Sequence, residues 1–332
     1  MVDRENTIWR TALVEYGLDD IPYTKLGSFE NDIWEVSQKG KPTILRITSM
    51  KHRTLQELLS EIEWIRYLFN HKIPVLKCIS TLSGMDCVSL EELNCYLMLF
   101  SKVPGHGPGQ GDWTEALFEQ WGTLLGKMHR LSGSFEPSKT FIRSFTENIF
   151  TSRWNRIQTK IDPKIRKQYL SLINQIMSFP HSRDHFGLIH SDLHPGNFFI
   201  DDGKMSLFDF DDLQYGWFVF DIAIVLYYSF WLADLKEETW YQNTVERSET
   251  SIFILQHLLK GYEKEFPLCK EWKEMLPVFL YLRQMELYFV FMDRFDHETN
   301  PTSMSYILTN QYKARLLNYV PPIPLNVFSH FG

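Results

Sequence analysis

The sequence predicts an α+β protein with two lobes: a small amino-terminal β-sheet lobe with one main helix, and a large, mainly helical carboxy-terminal lobe. Before about residue 100, strand-like runs surround a single helical pattern, whereas helical spacing dominates after it. Residues 101–112 hold four glycines and two prolines, which is typical of a loop or hinge. We therefore expect lobes at residues 1–100 and 101–332, with the hinge at about 98–103.

Composition narrows the class of protein. The 332 residues are 44% hydrophobic and 15% aromatic, enough for a large core, and the net charge of −7 argues against general binding to nucleic acid or anionic membranes. Four cysteines form no Cys-x-x-Cys pair, and the amino terminus has no apolar signal region. These features predict a cytoplasmic protein with reduced thiols, and they leave its oligomeric state open.

The small lobe contains its elements in a clear order. Phe29 to Val36 and Pro42 to Thr48 are two expected strands joined by a turn at residues 38–41. Leu55 to Phe69 has apolar residues at helical spacing, and Val88 to Phe100 supplies further strand. Small residues at Gly27 and Ser28 form the expected tip of a strand–turn–strand unit. Backbone N–H groups in such a tip can hold phosphates, although an ordinary hairpin is the alternative, since Gly-x-Gly-x-x-Gly is absent.

Arg46 is a candidate for binding the phosphates of a nucleotide. Strand alternation puts Ile44 and Arg46 on the same face. Arginine is always charged and binds phosphate in a bidentate manner. Glu61 on the following helix is the expected partner that orients Arg46, whereas Glu63 points to a different face. The alternative is an edge-strand arginine in a surface ion pair.

The most specific motif reads His190-x-Asp192-x-x-x-x-Asn197, with Asp209 twelve residues after the asparagine. This arrangement is typical of kinase-type phosphoryl transfer. A carboxylate, Asp192, must accept the proton of an attacking hydroxyl. An amide oxygen and a second carboxylate, at Asn197 and Asp209, must hold Mg²⁺, which prefers oxygen ligands.

The chain around this motif predicts a hairpin. Asn197 to Ile200 starts a strand, Asp201-Asp202-Gly203 is a turn signal, and Lys204 to Phe208 is the returning strand. A hairpin places the end of its second strand beside the start of its first, so Asn197 and Asp209 are expected to meet. The alternative is an ordinary turn cluster rich in Asp and Asn.

The large lobe is expected to be helical at about residues 113–132, 146–160, 163–178, 218–234, 248–265, 271–296 and 302–318. Its most apolar run, Trp217 to Ala233, predicts a buried helix rather than a membrane span, because it contains Asp221. An unpaired carboxylate there would be costly, so a hydrogen-bonded structural role is expected for Asp221.

Together these pieces resemble the aminoglycoside phosphotransferase/choline kinase family, the small-molecule branch of the protein-kinase-like fold, over about residues 20 to 230. A weaker similarity is to type II homoserine-kinase-like proteins. The matching segments are Gly27-Ser28-Phe29-Glu30-Asn31, Leu45-Arg46-Ile47 with Glu61, Gly122-x-x-Leu125-Gly126-x-x-His129, Ile189 to Asn197, Phe208 to Asp212, and Gly216-x-x-x-x-Asp221-Ile222-Ala223.

The resemblance implies roles for these positions. It implies that Asp192 is the catalytic base, that Asn197 and Asp209 bind Mg²⁺, and that His190 and Asp221 support the loop. It also implies ATP or GTP as phosphoryl donor, with Met98 to Ser101 as the hinge against the adenine. The implied nucleotide contacts are Gly27, Ser28, Phe29, Asn31, Ile44, Arg46, Glu61, Met98 and Phe100. The chain departs from the family at Arg46, where lysine is usual.

The acceptor is expected to be a small molecule with a hydroxyl group. Only eleven residues separate Asp209 from Asp221, which leaves no room for the long activation segment of a protein kinase. Acidic Asp211 and Asp212 would suit the ammonium groups of an aminoglycoside. Tyr215 and Trp217 could hold a choline-like cation, and Arg283 could pair with an amino acid carboxylate. These alternatives remain open.

A non-enzymatic protein is the other hypothesis: a nucleotide-binding or structural protein built on a retired kinase scaffold. The intact set of Asp192, Asn197 and Asp209 weighs against it. Loss of the chemistry would be expected to leave at least one of the three positions altered.

Overall fold

The computed structural model describes residues 4–144, 152–234, 244–295 and 299–331. The chain divides into two compact units. Unit 1 contains residues 1–108, 134–143 and 197–212, and unit 2 contains residues 109–133, 144–196 and 213–332. The hairpin after Asn197 is thus grouped with the amino-terminal segment, whereas the sequence assigned it to the lobe at 101–332.

Unit 1 is built on an antiparallel sheet with the strand order β1-β2-β3-β6-β4, and β5 also pairs with β6. Strand β3 lies between β2 and β6, with Arg46 opposite Ile33 on one side and Met98 on the other. The elements are α1 (Arg4–Tyr16), β1 (Thr24–Ser28), β2 (Asp32–Gln38), β3 (Lys41–Ser49), α2 (Leu55–Asn70), β4 (Cys78–Ile79), β5 (Val88–Leu90) and β6 (Cys95–Ser101), with a short 3₁₀ helix at Glu91–Leu93.

Helix α1 was not predicted. It contributes Ile8, Trp9, Ala12 and Tyr16 to a core cluster with the buried residues of the sheet. The Tyr16 hydroxyl is buried and donates a 2.8 Å hydrogen bond to the Leu97 carbonyl. Because a buried phenol needs such a partner, this bond anchors the helix to the sheet.

Helix α2 begins where the sequence supplies a capping box. The Thr54 side chain accepts a hydrogen bond from the Glu57 backbone N–H, and the Glu57 carboxylate accepts one from the Thr54 N–H. Both groups would otherwise lack partners inside the helix, so the pair fixes its first turn. The helix then places Glu61 on its buried face.

One local expectation for unit 1 was wrong. Gly27 and Ser28 lie within β1, and the bend falls at residues 29–31 instead of at a small-residue tip. The expected hinge segment, Met98 to Ser101, forms the end of β6. This end of β6 pairs with β3, and its residues Leu99 and Phe100 also pair with β4. The hinge role of the segment stays a prediction.

The hairpin of unit 1 consists of β8 (Phe198–Asp201) and β9 (Lys204–Leu207). Asp202 and Gly203 have φ of 48° and 72°, the left-handed values of a tight two-residue turn. The Leu76 N–H donates to the Leu207 carbonyl at 3.0 Å, and the Ile200 N–H donates to the His106 carbonyl at 2.8 Å. These bonds tie the hairpin to the amino-terminal part of unit 1.

Within the described residues, unit 2 combines helices with a two-stranded antiparallel sheet, in which β7 (Phe186–Ile189) pairs with β10 (Gln214–Trp217). The predicted helix at 146–160 lies partly outside the described residues; within them it is α4 (Ser152–Ile157). The elements are α3 (Glu115–Ser132), α4 (Ser152–Ile157), α5 (Pro163–Met177), β7 (Phe186–Ile189), β10 (Gln214–Trp217), α6 (Phe218–Asp234), α7 (Thr244–Tyr262), α8 (Trp272–Phe295) and α9 (Met304–Leu317), with a 3₁₀ helix at Leu325–His330.

Apolar helices form the core of unit 2. Residues 218–228 of α6 are all buried, as predicted. Helix α8 is long and apolar enough to cross a membrane by length and composition, yet 61% of its most apolar window is buried inside the structure. Core helices pass the same test of length and composition, so α8 is weak evidence for a membrane span.

Helices α3 and α7 approach each other closely at two glycines. A Cβ atom at Gly122 would lie 1.9 Å from the Leu258 carbonyl oxygen, and one at Gly261 would lie 1.9 Å from the Glu119 carbonyl oxygen. Both obstacles are backbone atoms, so a side chain at either position must push the helices apart.

We expect Gly122→Ala to lower the free energy of unfolding by about 1–3 kcal/mol, because the added methyl group overpacks the α3–α7 crossing. Gly111→Ala is the matched control, since a Cβ atom there meets nothing within 4 Å. Urea unfolding of both variants measures the difference. Equal stability of Gly122→Ala and the control would contradict the proposed close packing.

Candidate active site

A buried ion pair fixes Arg46 in unit 1. Its Nη1 donates to Glu61 Oε1 at 2.9 Å and its Nη2 to Glu61 Oε2 at 2.5 Å. The two side chains are 5% and 1% exposed, so the alternative of a surface ion pair is wrong. Although burial lowers the pKa of Arg46, the Glu61 carboxylate raises it above its ordinary value. The guanidinium is therefore charged and held in one orientation.

Met98 and Phe100 pack against this guanidinium. The Met98 sulfur accepts a 3.7 Å hydrogen bond from Arg46 Nη2, and the Phe100 ring lies 5.1 Å from the guanidinium carbon. The side chains are buried at 0% and 3% exposure. They form one wall around Arg46, and their expected place beside an adenine stays a prediction.

The other expected nucleotide contacts of unit 1 have different environments. Asn31 is buried, and its Oδ1 accepts a 2.6 Å hydrogen bond from Thr48 Oγ1. Ile44 is half-buried in β3, whereas Gly27 and Ser28 are exposed in β1. Phe29 is 62% exposed at the bend after β1. The β1–β2 segment is thus anchored to β3 through Asn31, while the residues before it remain accessible.

The hairpin brings the two expected metal ligands to adjacent positions. Asn197 immediately precedes β8, and its carbonyl accepts a 3.0 Å hydrogen bond from the Phe208 N–H, one residue before Asp209. Asp209 has φ of 61°, a left-handed conformation that costs a non-glycine residue roughly 1–3 kcal/mol. An amide oxygen and a carboxylate at these positions are suitable donors for a hard divalent cation.

Asp211 and Asp212, two residues beyond, are bound within unit 1. His52 Nε2 lies 2.6 Å from Asp211 Oδ2, and Arg53 Nε donates to Asp211 Oδ1 at 3.2 Å. Arg53 also reaches Asp212 at 2.7 Å, and Arg143 donates to the Asp211 carbonyl at 2.6 Å. Burial raises the pKa of Asp211, but Arg53 and His52 hold it well below its usual range.

These contacts correct one expectation. Asp211 is not a substrate contact, because both of its carboxylate oxygens are engaged and its side chain is 8% exposed. Asp212 is 52% exposed and stays accessible. Sequence reasoning missed His52, Arg53 and Arg143, since nothing in their spacing indicates a partner more than 60 residues away.

In unit 2, Asp221 organises the loop that carries Asp192. Its carboxylate accepts hydrogen bonds from the His190 N–H at 2.9 Å and the Ser191 N–H at 2.7 Å, and lies 3.0 Å from His129 Nε2. Ser191 adopts a left-handed φ of 66°, and its hydroxyl accepts a bond from Gln214 at 2.8 Å. The backbone entering Asp192 is therefore held by a fully buried carboxylate.

The Asp192 carboxylate lies among cationic and aromatic groups of unit 2. Arg283 of α8 donates to Asp192 Oδ1 and also to the Tyr228 hydroxyl at 2.6 Å. His194 Nε2 lies 3.4 Å from Asp192 Oδ2. Burial raises the pKa of Asp192, but Arg283 and His194 lower it below its usual value. Asp192 is thus a carboxylate at neutral pH, and its side chain is 20% exposed.

His194 has contacts that give it a structural role. Its Nδ1 accepts a 2.9 Å hydrogen bond from the Gly196 N–H, and its ring stacks on Tyr228 with centroids 4.5 Å apart. These contacts stabilise the turn through Pro195 and Gly196.

The aromatic substrate candidates lie in β10. Trp217 is 0% exposed, donates from Nε1 to the Pro180 carbonyl at 2.9 Å, and packs against Phe186 and Phe279. Trp217 is therefore a core residue, and the prediction that it contacts substrate was wrong. Tyr215 is half-buried and stacks with Phe186 at a centroid distance of 6.5 Å.

A family model described as "Phosphotransferase enzyme family" matches residues 23–249. The chain belongs to the phosphotransferase enzyme family. Amicoumacin kinase of Bacillus subtilis (strain 168) is 33% identical over 299 residues, which cover 89% of this chain and 87% of that protein. This phosphotransferase is accordingly a small-molecule kinase that uses ATP and an alcohol group as acceptor.

Solved structures agree with this membership. Amicoumacin kinase hAmiN in complex with AMP-PNP, Ca²⁺ and Ami has a TM-score of 0.89 at 28% identity, covering 99% of this chain and 97% of that one. A microcompartment-associated aminopropanol kinase has a TM-score of 0.73 at 19% identity, covering 96% and 99% of the two chains, and shows the fold alone. The predicted protein-kinase-like α+β fold is confirmed.

We expect Arg46→Met to lower the free energy of unfolding by about 3–5 kcal/mol, because the buried Glu61 carboxylate loses both of its bonds to Arg46 and keeps only Arg143 at 3.8 Å. Arg66→Met is the matched control. Arg66 pairs with Asp86 at the surface, with a side chain 44% exposed, and its loss should cost about 1 kcal/mol or less. Chemical denaturation measures both variants, and similar losses would contradict the importance given to the buried pair.

Proposed function

We propose that this phosphotransferase moves the γ-phosphoryl group of ATP directly to a hydroxyl of a small molecule, with Asp192 as the base. The observation that carries the proposal is the state of Asp192. Its carboxylate is ionised beside Arg283 and His194, partly accessible, and mounted on a loop backbone bound by Asp221. A general base must be unprotonated, fixed in position and able to reach the hydroxyl, and the Asp192 side chain is 20% exposed.

Asn197 and Asp209 are the proposed Mg²⁺ ligands. When bound there, the ion would neutralise charge on the nucleotide phosphates. The hydrogen bond between Asn197 and Phe208 supports the assignment, because it places the amide and the Asp209 carboxylate at neighbouring backbone positions. GTP is an alternative donor that the same residues could accept.

Arg46 is the proposed cation for the nucleotide phosphates. Glu61 fixes its guanidinium, in the way that a carboxylate fixes the corresponding lysine of other kinases. Arg46 thus occupies the position of that lysine, with a guanidinium in place of an ammonium group. A planar group with five N–H donors replaces a compact ammonium charge. Both Nη atoms of Arg46 donate to Glu61.

Amicoumacin is the first acceptor to test, because the Bacillus subtilis relative is named for it and the solved neighbour contains Ami. Among the earlier candidates, Asp212 and Tyr215 remain accessible contacts for an acceptor. Arg283 would have to exchange its bond to Asp192 for one to a substrate carboxylate. A cytoplasmic location fits an enzyme that draws on ATP.

The direct test is a transfer assay with Mg²⁺-ATP and Mg²⁺-GTP against amicoumacin, amino alcohols, homoserine and aminoglycosides. Once an acceptor is found, Asp192→Asn should lower kcat by roughly 10²–10⁴-fold, since the base acts in the transition state. Its effect on nucleotide affinity should be small. His194→Ala is the comparison variant and should retain more turnover.

Two results would count against this assignment. Near-parental turnover in Asp192→Asn together with loss in His194→Ala would move the base to His194. Nucleotide binding without turnover on any acceptor, in the parent as well, would favour the retired kinase scaffold.

The pH profile tests Arg283 as a positioning residue for Asp192. Because Arg283 lowers the pKa of Asp192, the base stays ionised as pH falls into the ordinary carboxylate range, and kcat/KM should persist there. Arg283→Met removes the cation while burial still raises the pKa, so the acidic limb of kcat/KM should move to higher pH. Arg283→Lys should restore it partly. A uniform loss of activity without movement of the limb would show a purely structural role.

A further inference from the structure

A cluster of unlike metal ligands lies in unit 2, outside the proposed phosphoryl-transfer residues. His185, Cys269 and Glu271 each offer one ligand atom, and these three atoms lie within 4.8 Å of one another. We propose that they form a zinc site. The proposal is independent of the phosphoryl-transfer mechanism.

His185 is prepared as a ligand by its neighbours. Its Nδ1 lies 2.7 Å from the Ser182 hydroxyl, and its Nε2 lies 2.8 Å from Glu271 Oε2. A metal-bound histidine usually has its second ring nitrogen held by such a hydrogen bond, which fixes the tautomer and the ring orientation. Because a carboxylate only accepts hydrogen bonds, Nε2 donates its proton to Glu271 in this structure. A metal would take the place of that proton, and the Ser182 oxygen can then accept the proton carried by Nδ1.

Cys269 distinguishes this cluster from an ordinary His–Glu ion pair, because it adds a sulfur ligand. The residue is 6% exposed, so its sulfur lies in the interior of unit 2. Its sulfur lies within 4.8 Å of the His185 and Glu271 ligand atoms, and this geometry is what supports a metal site. Zinc would displace the thiol proton of Cys269 and bind the thiolate together with His185 and Glu271.

The donor set selects the ion. One sulfur, one imidazole nitrogen and one carboxylate oxygen suit Zn²⁺ or Co²⁺, whereas Mg²⁺ and Ca²⁺ require oxygen. Zinc bonds of about 2.0–2.3 Å at tetrahedral angles place ligand atoms roughly 3.3–3.8 Å apart. The Glu271 side chain is 44% exposed and has room to make this adjustment, and water can complete the fourth position.

A metal bound at this cluster would connect two elements of unit 2. His185 directly precedes β7, the strand that leads into the loop of Asp192. Cys269 and Glu271 directly precede α8, the helix that carries Arg283. A metal would therefore join the starting points of the two elements that present Asp192 and its ionic partner. Because zinc would bind the arranged ligands of the folded chain more tightly than the unfolded chain, it should raise Tm.

The test is titration of the chelator-treated full chain with Co²⁺, followed by Zn²⁺ competition. We expect one equivalent of Co²⁺ to produce a thiolate-to-cobalt charge-transfer band and a higher Tm, and Zn²⁺ to displace it. Cys269→Ser should abolish the band. His185→Gln and Glu271→Gln should each weaken metal binding by about tenfold or more. Cys87→Ser is the matched control, another buried thiol, and should keep the band.

Several outcomes would overturn the site. No charge-transfer band at stoichiometric Co²⁺ would do so, as would a band that survives in Cys269→Ser or disappears in Cys87→Ser. If Cys269→Ser fails to fold, the accessible Glu271→Gln decides, and unchanged Co²⁺ affinity in that variant counts against the proposal. None of these readouts depends on phosphoryl transfer, so failure here leaves the proposed kinase activity untouched.

Discussion

The carboxylate of Asp221 is the constraint on which the arrangement of unit 2 depends. It is fully buried in an apolar helix, where an isolated charge would be strongly unfavourable. Two backbone N–H groups and the His129 ring satisfy it, and the Tyr262 hydroxyl lies 2.8 Å from the other nitrogen of that ring. The loop of Asp192 must therefore follow a path that brings the His190 and Ser191 N–H groups to Asp221. This path requires the unfavourable left-handed conformation of Ser191.

An analogous constraint operates in unit 1 through Arg46 and Glu61. A bidentate guanidinium–carboxylate pair defines distance and angle together, which a lysine ammonium cannot do. The departure from the lysine usual in the family thus changes how rigidly the cation is held. Met98 and Phe100 of β6 also pack against the guanidinium, so this strand helps to hold the cation in place.

Sequence reasoning succeeded where the signal is local. The Asn197–Asp209 hairpin follows from its turn residues, the main helices from apolar spacing, and the Arg46–Glu61 pair from alternation and a helical face. It failed where the deciding partner is distant in sequence. Trp217 is aromatic and close to the motif, but only the tertiary structure shows that it packs in the core. His52 and Arg53 lie almost 160 residues before Asp211, and α1 has weak apolar periodicity of its own.

Unit 1 is built from three separate segments of the chain, and this affects how it folds during translation. Its hairpin, residues 197–212, is bonded to residues 76 and 106 of the same unit, yet more than 50 residues assigned to unit 2 are translated in between. The first strands leave the ribosome well before their last partners are made. Unit 1 therefore cannot complete its fold until part of unit 2 has emerged, and a gene fragment ending near residue 108 would encode a sheet that lacks part of its support.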